Sequence, residues 1–506
     1  MENNKFYITT PIYYPSANFH IGHCYTTIIA DAIARFKRLQ GYDVFFLTGT
    51  DEHGLKIENK AKEVNKTPKE YVDEIVLNAK DLWKSLGISY DKFIRTTDDY
   101  HVRAVSNIFN RLYEKGDIYK GYYEGLYCTP CESFWTSKDL IDGCCPDCHR
   151  EVKKVKEEAY FFKLSKYEDR IRKLLDNKDF LLPESRKNEM INNFLDKGLD
   201  DLCVSRTSFT WGIPVSFDKS HVVYVWLDAL TNYLTALGYE TGDDDSLFKK
   251  YWPCDLHLVG KEIVRFHAII WPAILMALDL PFPKQIFAHG WLKINGEKIS
   301  KSLGNYKDPR EYIKSYGVDA VRYFALREVP FGNDGSFDEE YLKQRRNTDL
   351  CNTLGNLLNR TIAMTYKYFD GVITNTKVNE DIDKDLIDSV TSLKEIVEND
   401  MSKYNVSLAL EDIFNVLKAC NKYIDDTMPW NLAKLSNYDR LQTVLYNILE
   451  SIRICSIYLS AFIPDTSKAI FKQLNTDKTT YDTTSKFGYL EDNHKLGEAS
   501  ILFERI

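Results

Sequence analysis

A strand, a helix and a second strand follow one another at the start of the chain, and this order limits how it can fold. Residues Lys5 to Thr9 predict a strand, 11–19 a loop, Cys24 to Gln40 a helix, and Val44 to Leu47 a second strand. A helix between two such strands makes a right-handed crossover, so both strands run parallel in one sheet. Nucleotides bind at the carboxyl ends of such strands, near a helix N-terminus whose free N–H groups attract anions. The pattern therefore predicts an α/β fold with a nucleotide site where this helix begins.

Two histidines lie at that place, in the run His20, Ile21, Gly22 and His23. Histidine side chains can donate hydrogen bonds to phosphate oxygens, most strongly as negative charge develops during nucleotidyl transfer. Gly22 lets a nucleotide approach the backbone where a Cβ atom would block it. The alternative is that the two histidines only cap the helix, and the pair taken alone favours that simpler interpretation.

A second short run, residues 298–302, reads Lys-Ile-Ser-Lys-Ser. It lies in a stretch opened by Gly290 and Gly296 and closed by Gly304, which is typical of a mobile loop. Ammonium groups on such a loop can close on a pyrophosphate leaving group. The alternative is a solvated run of charge, and the run taken alone does not decide between the two.

Together and in this order, the two runs resemble the two signatures of class I aminoacyl-tRNA synthetases. The resemblance implies an ATP-dependent, AMP-forming enzyme with a Rossmann-type catalytic domain, in which magnesium accompanies ATP. It implies that ATP is bound by His20, Gly22, His23, Lys298, Ser300 and Lys301, and that the catalytic residues are His20, His23, Lys298 and Lys301.

Four cysteines form two C-x-x-C turns, Cys128 with Cys131 and Cys145 with Cys148, and 13 residues separate the turns. This spacing lets two knuckles converge on one tetrahedral zinc ion, and four thiolates leave no open position for chemistry. We therefore expect one structural zinc. A redox pair is the alternative, although it would need only one such turn. Cys144 adjoins the second turn and could replace Cys145 as the ligand.

Composition narrows the class of protein. At 506 residues the chain is long enough for about three domains. Its start is no signal peptide and it has no apolar stretch of transmembrane length, so we expect a cytoplasmic protein without a membrane partner. The net charge of −8 predicts that any RNA contact is a local basic patch. Eleven cysteines, an odd number in a reducing compartment, argue against disulfides.

The zinc knuckle lies between the two ATP signatures, and this arrangement resembles methionyl-tRNA synthetases. The resemblance implies a methionine–tRNA ligase that forms methionyl-adenylate from methionine and ATP, with release of pyrophosphate. The methionyl group then passes to the 3′ end of tRNA(Met), for initiation and elongation of translation. The resemblance also implies five regions: Rossmann catalytic halves at 1–114 and 223–305, a connective insertion with the zinc knuckle at 115–222, a stem-contact region at 306–365, and an α-helical anticodon-binding domain at 366–506.

The predicted amino-acid pocket begins with Asp51, an acidic residue at the end of the second strand. Such a carboxylate can hold a substrate ammonium group by a charge-assisted hydrogen bond, although a solvated loop carboxylate is the alternative. A thioether gains from aromatic and aliphatic contacts. The family resemblance implies that methionine is bound by Ile12, Tyr14, Asp51, Trp226, Ala229, Tyr233, Ile263 and His267.

Core packing is the alternative interpretation for these apolar side chains, and it applies to Trp226, Ile263 and Phe266. His267 lies in a predicted helix from Glu262 to Leu278 that Pro272 interrupts, where it could be a histidine satisfied within that helix. The sequence departs from another bacterial branch of the family at Pro11 and Tyr13, which leaves the shape of the pocket open there.

From Asn347 onward the apolar spacing predicts a bundle of helices. The resemblance implies that it binds the anticodon, with Asn421, Trp430 and Tyr481 as candidates. The Tyr481 ring could stack on an anticodon base, as aromatic rings do on unpaired RNA. Core packing for Trp430 and a surface loop for Tyr481 are the alternatives. The chain ends at Ile506 without a lysine-rich β-barrel, so it is either naturally short or truncated, and we expect a monomer in this form.

Two other functions compete with this one. A class I synthetase for cysteine would carry zinc in its amino-acid pocket, and one for leucine, isoleucine or valine would insert an editing domain larger than residues 115–222 allow. A zinc-ribbon RNA-binding protein without catalysis would retain the nucleotide motifs only as relics. The intact histidines and lysines of both runs argue against that second alternative.

Overall fold

The computed structural model describes residues 4–131, 133–135, 140–294, 296–299, 306–329 and 332–506, with the backbone alone at 123, 124, 133, 134 and 298. The chain forms two compact units. The first unit comprises Met1–Ala30, Asp43–Lys84 and Ser89–Trp291, and the second comprises Asp31–Tyr42, Ser85–Ile88 and Leu292–Ile506. We describe each unit by itself.

All the strands longer than three residues that the structure describes lie in the first unit. In that unit they are β1 Lys5–Tyr13, β2 Asp43–Thr50, β3 Lys92–Arg95, β4 Ile118–Cys128, β5 Ser133–Trp135, β6 Lys153–Phe162, β7 Leu181–Leu182, β8 Leu202–Cys203, β9 Ser205–Arg206, β10 Pro214–Val215, β11 Asp218–Val223, β12 Leu256–Gly260 and β13 Gln285–His289. The second unit has β14 Leu292–Ile294, β15 Glu297–Lys298, β16 Gly335–Ser336, β17 Val372–Ile373 and β18 His494–Lys495.

The helices begin with α1 Ile21–Leu39, which crosses the boundary between the units. They continue with α2 Leu55–Glu63, α3 Pro68–Ser85, α4 Asp99–Glu114, α5 Glu168–Leu175, α6 Glu184–Asn193, α7 Val225–Thr235, α8 Ser246–Tyr251 and α9 Trp271–Ala277. The second unit has α10 Pro309–Tyr316, α11 Val318–Arg327, α12 Glu339–Arg345, α13 Asn356–Phe369, α14 Asp381–Ser402, α15 Val406–Thr427, α16 Pro429–Lys434, α17 Tyr438–Leu459 and α18 Pro464–Leu474.

A six-stranded parallel sheet forms the centre of the first unit, in the order β3, β2, β1, β12, β13, β7. The chain leaves β1 towards β2 on one side, whereas β12 pairs with β1 on the other, so the strand order reverses between β1 and β12. In open α/β sheets, ligands bind beyond the carboxyl ends of the strands at such a reversal. The predicted α/β fold is confirmed, and the candidate site lies at this edge.

Strand β1 runs four residues beyond its predicted end at Thr9 and finishes at Tyr13. Its pairing with β12 is described only as far as Thr9, and its register with β2 shifts between Thr9 and Ile12. Pro11 lies inside the shift, and proline has no N–H group to continue the ladder. The predicted loop therefore begins too early, because an irregularity at a proline does not end the strand.

Two smaller sheets belong to the predicted insertion in the first unit. One has the order β5, β4, β6, β8 and the other the order β10, β11, β9. The long antiparallel pair of β4 and β6 runs from Ile118 opposite Phe162 to Tyr127 opposite Lys153. The first pair of predicted zinc ligands, Cys128 and Cys131, therefore stands where this pair of strands ends.

The second unit is largely helical, as the apolar spacing predicted. Helix α17 is buried from Arg440 to Leu459 except at Gln442, which is half-buried, and α13, α14, α15 and α18 pack around it. A helix buried on all sides forms the centre of a bundle. Within the described part of the chain, no helix is long and apolar enough to cross a membrane.

Candidate active site

The two histidines of the first signature stand at the start of α1, directly after β1. The backbone N–H of His20 donates to Nδ1 of His23 at 3.0 Å, and that of Gly22 donates to Nδ1 of His20 at 3.1 Å. Since Nδ1 accepts in both rings, the proton of each neutral ring lies on Nε2, the atom that can donate to a phosphate oxygen. Burial and the neighbouring His20 lower the pKa of His23 well below its ordinary value.

Aromatic side chains support the ring of His23. Its centroid lies 4.8 Å from that of Phe19 and 5.3 Å from that of Tyr13. The Tyr13 hydroxyl and the Thr27 hydroxyl share a hydrogen bond of 2.7 Å, and the Tyr13 ring is buried. Tyr13, one of the two positions that depart from another branch of the family, thus packs against the ring of His23.

Asp51 follows β2 directly and is buried at the carboxyl edge of the sheet. Its backbone N–H donates to the carbonyl oxygen of Tyr13 at 3.0 Å, which ties it to the end of β1. The next residue, Glu52, is fully buried and accepts two hydrogen bonds from Arg95, at 2.7 and 2.9 Å. The strand end that carries Asp51 is therefore held by β1 and by the end of β3.

An apolar cluster lies beside this edge. Ile12, from the end of β1, packs with Trp226 and Ala229 from the first turns of α7. The indole of Trp226 stacks on the ring of Phe266, with centroids 3.4 Å apart and planes 9° from parallel. Ile263 borders the larger core of the first unit, which Ile12 and Trp226 also border. The structure thus brings together four of the predicted pocket residues, and it adds Phe266 to them.

Tyr233 and His267 form the polar part of this region. The carbonyl oxygen of Ile263 lies 3.0 Å from Nδ1 of His267, so Nδ1–H donates and Nε2 accepts the Tyr233 hydroxyl proton at 2.7 Å. Burial lowers the pKa of His267 to about 4, which keeps the ring neutral at pH 7. Tyr14 is half-buried, with the ammonium nitrogen of Lys56 5.2 Å from its ring centroid.

The segment that carries His267 is not the interrupted α-helix that the sequence predicts. Residues Lys261–Ile263 form a 3₁₀ turn, Phe266–Ile270 a π-helical turn, and α9 begins only at Trp271. The N–H of Trp271 donates to the carbonyl of Phe266, five residues back, and Pro272 lacks an N–H of its own. Such widened turns are frequent at functional sites.

The four cysteines of the knuckle converge. Their sulfur atoms all lie within 4.8 Å of one another, with Cys128 and Cys148 3.4 Å apart and Cys131 and Cys145 3.9 Å apart. Zinc–sulfur bonds of about 2.3 Å in a tetrahedron place sulfurs about 3.8 Å apart, so the group fits zinc. Cys144 is described but is not one of the four, and the described cysteines form no disulfide.

Comparison with known proteins identifies the family. The model described as "tRNA synthetases class I (M)" matches residues 6–156 and 151–362, and that of the "Anticodon binding domain of methionyl tRNA ligase" matches residues 373–506. The methionine–tRNA ligase of Clostridium perfringens is 59% identical over 508 residues, which cover 100% of this chain and 79% of that protein. The chain belongs to the methionyl-tRNA synthetase family.

Further matches agree. The methionine–tRNA ligase of Caldanaerobacter subterraneus is 60% identical over 505 residues, covering 99% of this chain and 79% of that protein. The structure of Mycobacterium tuberculosis methionyl-tRNA synthetase in complex with methionyl-adenylate superposes with a TM-score of 0.95 and 41% identity, over 99% of this chain and 100% of that one. The predicted family, fold class and enzyme class are therefore confirmed.

The second synthetase signature lies largely outside the described residues. Lys298 ends β15, where its backbone pairs with Lys293, and its side chain is not described. Ser300 and Lys301 lie outside the described residues altogether. The three assignments therefore stay predictions.

The three anticodon candidates lie in the helical second unit and differ in their surroundings. The side chain of Trp430 on α16 is 41% exposed. The Asn421 amide donates to the carbonyls of Thr353 and Leu417, both at 3.0 Å. The Tyr481 hydroxyl donates to Glu398 at 2.8 Å, and its ring packs in a half-buried place. The three assignments to the anticodon stay predictions.

Sequence reasoning missed a buried network in the first unit. The carboxylate of Asp228 bonds to His53 and to His101, each at 2.7 Å. Asp228 lies inside the stretch from Tyr224 to Tyr233 that the sequence already marked, but its partners are 175 and 127 residues away along the chain. The signal available was a carboxylate among apolar residues in the first turn of a helix.

Proposed function

We propose that this chain activates methionine with ATP to methionyl-adenylate and pyrophosphate, and then transfers the methionyl group to the 3′ end of tRNA(Met). The reaction supplies methionyl-tRNA for the initiation and elongation of translation, which take place in the cytoplasm. One observation carries the proposal: the histidine pair at the start of α1 and Asp51 at the end of β2 lie at the same edge of the parallel sheet as Ile12, which packs with Trp226. The matched Mycobacterium enzyme, which holds methionyl-adenylate, supports it.

In this proposal, the Nε2–H groups of His20 and His23 donate hydrogen bonds to the phosphates of ATP, and Gly22 leaves room for those phosphates. Donors fixed by backbone hydrogen bonds need no reorganisation when negative charge grows in the transition state, which favours catalysis by positioning. Lys298, Ser300 and Lys301 would act on the same phosphates. Magnesium would accompany ATP and neutralise part of its charge.

The amino acid would lie with its ammonium group on Asp51 and its thioether among Ile12, Tyr14, Trp226, Ala229, Tyr233, Ile263 and His267. A neutral His267, fixed by Tyr233, suits an uncharged thioether because a charged imidazolium would need a partner in this buried place. Stacked aromatic rings offer a polarisable surface to sulfur.

Four further assignments belong to the same proposal. Cys128, Cys131, Cys145 and Cys148 would hold one zinc that orders the connective insertion without chemistry, because four thiolates leave no open position. The helical second unit would bind the anticodon through Asn421, Trp430 and Tyr481. The five regions drawn from the sequence, and a monomeric state, are proposed on the same basis.

Methionine-dependent pyrophosphate exchange tests the pocket in two variants. Asp51→Asn removes the charged partner of the ammonium group, and we expect the KM for methionine to rise about tenfold or more, with the KM for ATP little changed. Trp226→Ala should raise the same constant through lost packing. Elemental analysis of the same preparation should find one zinc per chain.

A control is available on the same strand. Asp43 stands at the opposite end of β2, where its carboxylate bonds to Lys250 and to Tyr251. Asp43→Asn should leave the KM for methionine unchanged. If Asp51→Asn and Trp226→Ala behave like this control, the methionine site lies elsewhere.

A further inference from the structure

The side chain of Asp228 is fully buried in the first unit, and its two oxygens are bound by different histidines. His53 Nδ1 lies 2.7 Å from one oxygen, and His101 Nε2 lies 2.7 Å from the other. The far nitrogen of His101 is in turn 2.7 Å from the hydroxyl of Thr235. None of these residues belongs to the proposed ATP or methionine contacts.

The network joins three segments of the sheet unit. His53 lies two residues after Asp51, in the turn that follows β2, whereas His101 lies on α4. Asp228 lies in the first turn of α7, between Trp226 and Ala229. The hydrogen bond from His53 to Asp228 therefore links the turn that carries Asp51 directly to the helix that carries the apolar pocket residues.

Helix α7 uses different sides for these two tasks. Trp226, Ala229 and Tyr233 recur at a spacing of three and four residues, so they share one side of the helix. Asp228 and Thr235, seven residues apart, share another, and both bond to His101. Fixing the second side fixes the direction of the first.

The hydrogen bonds of Asp228 are strong enough to fix the position of α7. A buried carboxylate accepts hydrogen bonds only, so both histidines donate to it, and such bonds to a charged acceptor are stronger than neutral ones. Burial alone would raise the pKa of Asp228, but His53 and His101 hold it below its ordinary value. Loss of either donor would leave part of a buried charge unsatisfied.

The turn itself is fixed on its other side. The Gly54 N–H donates to the carbonyl of Trp211 at 3.0 Å, and the indole N–H of Trp211 donates to the carbonyl of Glu52 at 2.6 Å. The Glu52 carboxylate is held by Arg95. With one side of the turn fixed in this way, the bond to Asp228 determines where α7 stands relative to Asp51.

We propose that Asp228 is a positioning residue for the amino-acid site: through His53 it sets the distance between Asp51, the partner of the substrate ammonium group, and the apolar side of α7, which receives the thioether. This inference rests on the proposed function. A fixed distance between the two ends of the site selects the length of the substrate side chain. Asp228 thereby contributes to specificity without touching methionine.

The test compares methionine with ethionine, which is one methylene longer at the sulfur, in pyrophosphate exchange. A single methylene is worth about 10- to 200-fold in selection by a rigid pocket. Asp228→Asn keeps the shape but removes the charge, and we expect the KM for methionine to rise about tenfold while that for ATP stays constant. The preference for methionine over ethionine in kcat/KM should fall about fivefold or more.

Asp117→Asn is the matched control, because Asp117 is also a fully buried carboxylate of the first unit. It accepts from Lys166 and Tyr167, at 2.5 and 2.8 Å. A loss of stability alone would affect both variants alike. We expect Asp117→Asn to lower the melting temperature and to keep the preference for methionine.

A pair of variants at His53 keeps the test decisive if Asp228→Asn does not fold. His53→Ala removes the donor, and it should reproduce the higher KM and the weaker preference. Asparagine places an amide N–H near the position of Nδ1, so His53→Asn should restore most of the wild-type preference. Rescue of this kind would not be seen if residue 53 only filled space.

The results separate this inference from the proposed function. If Asp51→Asn and Trp226→Ala weaken methionine but Asp228→Asn and His53→Ala keep the wild-type preference, the positioning role is overturned and the pocket stands. If Asp51→Asn and Trp226→Ala also leave methionine unaffected, the proposed pocket itself is overturned.

Discussion

The candidate site and the helical unit differ in the polar groups that they bury. Around the candidate site, His23, His257 and His267 are hydrogen-bonded within the sheet unit, and burial lowers the pKa of each, so the rings are neutral. In the helical unit, the buried groups include full charges in ion pairs, such as Arg453 with Glu450 and Arg440 with Asp383. Neutral rings can donate or accept, whereas these paired charges have fixed roles.

The ion pair of Arg453 and Glu450 has almost all of its hydrogen-bonding capacity used by protein groups. Glu450 accepts two hydrogen bonds from Arg453, at 2.9 and 2.7 Å, and others from the backbone N–H groups of residues 488, 489 and 490. Arg453 also donates to the carbonyls of Lys478 and Thr483. Both charges are saturated by protein groups, so the pair holds the C-terminal segment against α17 and has little capacity to bind a substrate.

The largest effect should come from breaking this pair. Arg453→Met leaves Glu450 buried with its charge only partly satisfied, which typically costs about 3–5 kcal/mol. We expect the helical unit to unfold at a markedly lower denaturant concentration. Limited proteolysis with mass-spectrometric mapping would locate the loss in residues 292–506.

The control is an ion pair on the surface of the same unit. Lys468 and Asp465 are 3.2 Å apart and both are largely exposed, so Lys468→Ala should change stability little. If Arg453→Met proves as mild as Lys468→Ala, the buried pair does not support the bundle and the contrast between the units fails.

Acidification should change the stability of the two units in opposite directions. His267 has an ordinary pKa of 6.5 when unfolded and about 4 when buried, so only the unfolded chain takes up a proton between these values. Stability is therefore complete above pH 6.5 and falls as the pH drops towards 4, by about 1.4 kcal/mol per pH unit for this residue. In the helical unit, burial and Asp412 raise the pKa of Asp400 to about 6, so protonation below pH 6 relieves an unfavourable charge.

Hydrogen exchange at pH 7.0 and about 5.5, corrected for the intrinsic rate, would measure this difference. We expect protection to fall around α7 and β12 and to hold or rise around α14. His267→Gln should reduce the fall in the sheet unit, and Asp400→Asn should abolish any rise in the helical unit. Equal loss of protection in both units would contradict the assignment of neutral histidines to the site.

The sequence predicts well whatever depends on local spacing. The strand, helix and strand around α1, the converging C-x-x-C turns and the helical second unit all follow from period or spacing along the chain. The errors occur at two prolines: Pro11 shifts the register of β1 without ending it, and the helix before Pro272 widens into a π-helical turn. In each case the surrounding sheet or core compensates for the missing N–H, and sequence alone does not show that compensation.

The Asp228 network was beyond sequence reasoning for a different reason. Its two histidines lie 175 and 127 residues from Asp228 along the chain, and each member has an ordinary local context. Only the parallel sheet and the packing of α4 against α7 bring them together. Residues that touch a substrate often lie in recognisable motifs, whereas residues that position them are found only in the folded chain.

The smallest expected effect comes from comparing two aromatic rings of the helical unit, the packed ring of Tyr481 and the exposed ring of Trp430. The Tyr481 hydroxyl donates to Glu398, and its ring meets those of Phe36 and Tyr458 edge-on, at 6.0 and 5.9 Å. Tyr481→Phe loses one hydrogen bond and should cost about 1 kcal/mol of stability. Trp430→Ala removes a ring that is 41% exposed and should cost less in stability.

In charging of tRNA, the order of the two effects should reverse, with Trp430→Ala now having the larger effect. A base that stacks on an aromatic ring contributes about 1–3 kcal/mol, so Trp430→Ala should lower kcat/KM for tRNA while methionine-dependent pyrophosphate exchange continues unchanged. Tyr481→Leu, which removes the ring altogether, provides the counterpart when assayed well below its melting temperature. Because Tyr481 also makes contacts within the protein, we expect Tyr481→Leu to lower kcat/KM for tRNA less than Trp430→Ala does. If Tyr481→Leu impairs charging as much as Trp430→Ala does, the contacts of Tyr481 within the protein do not limit its contribution to RNA binding.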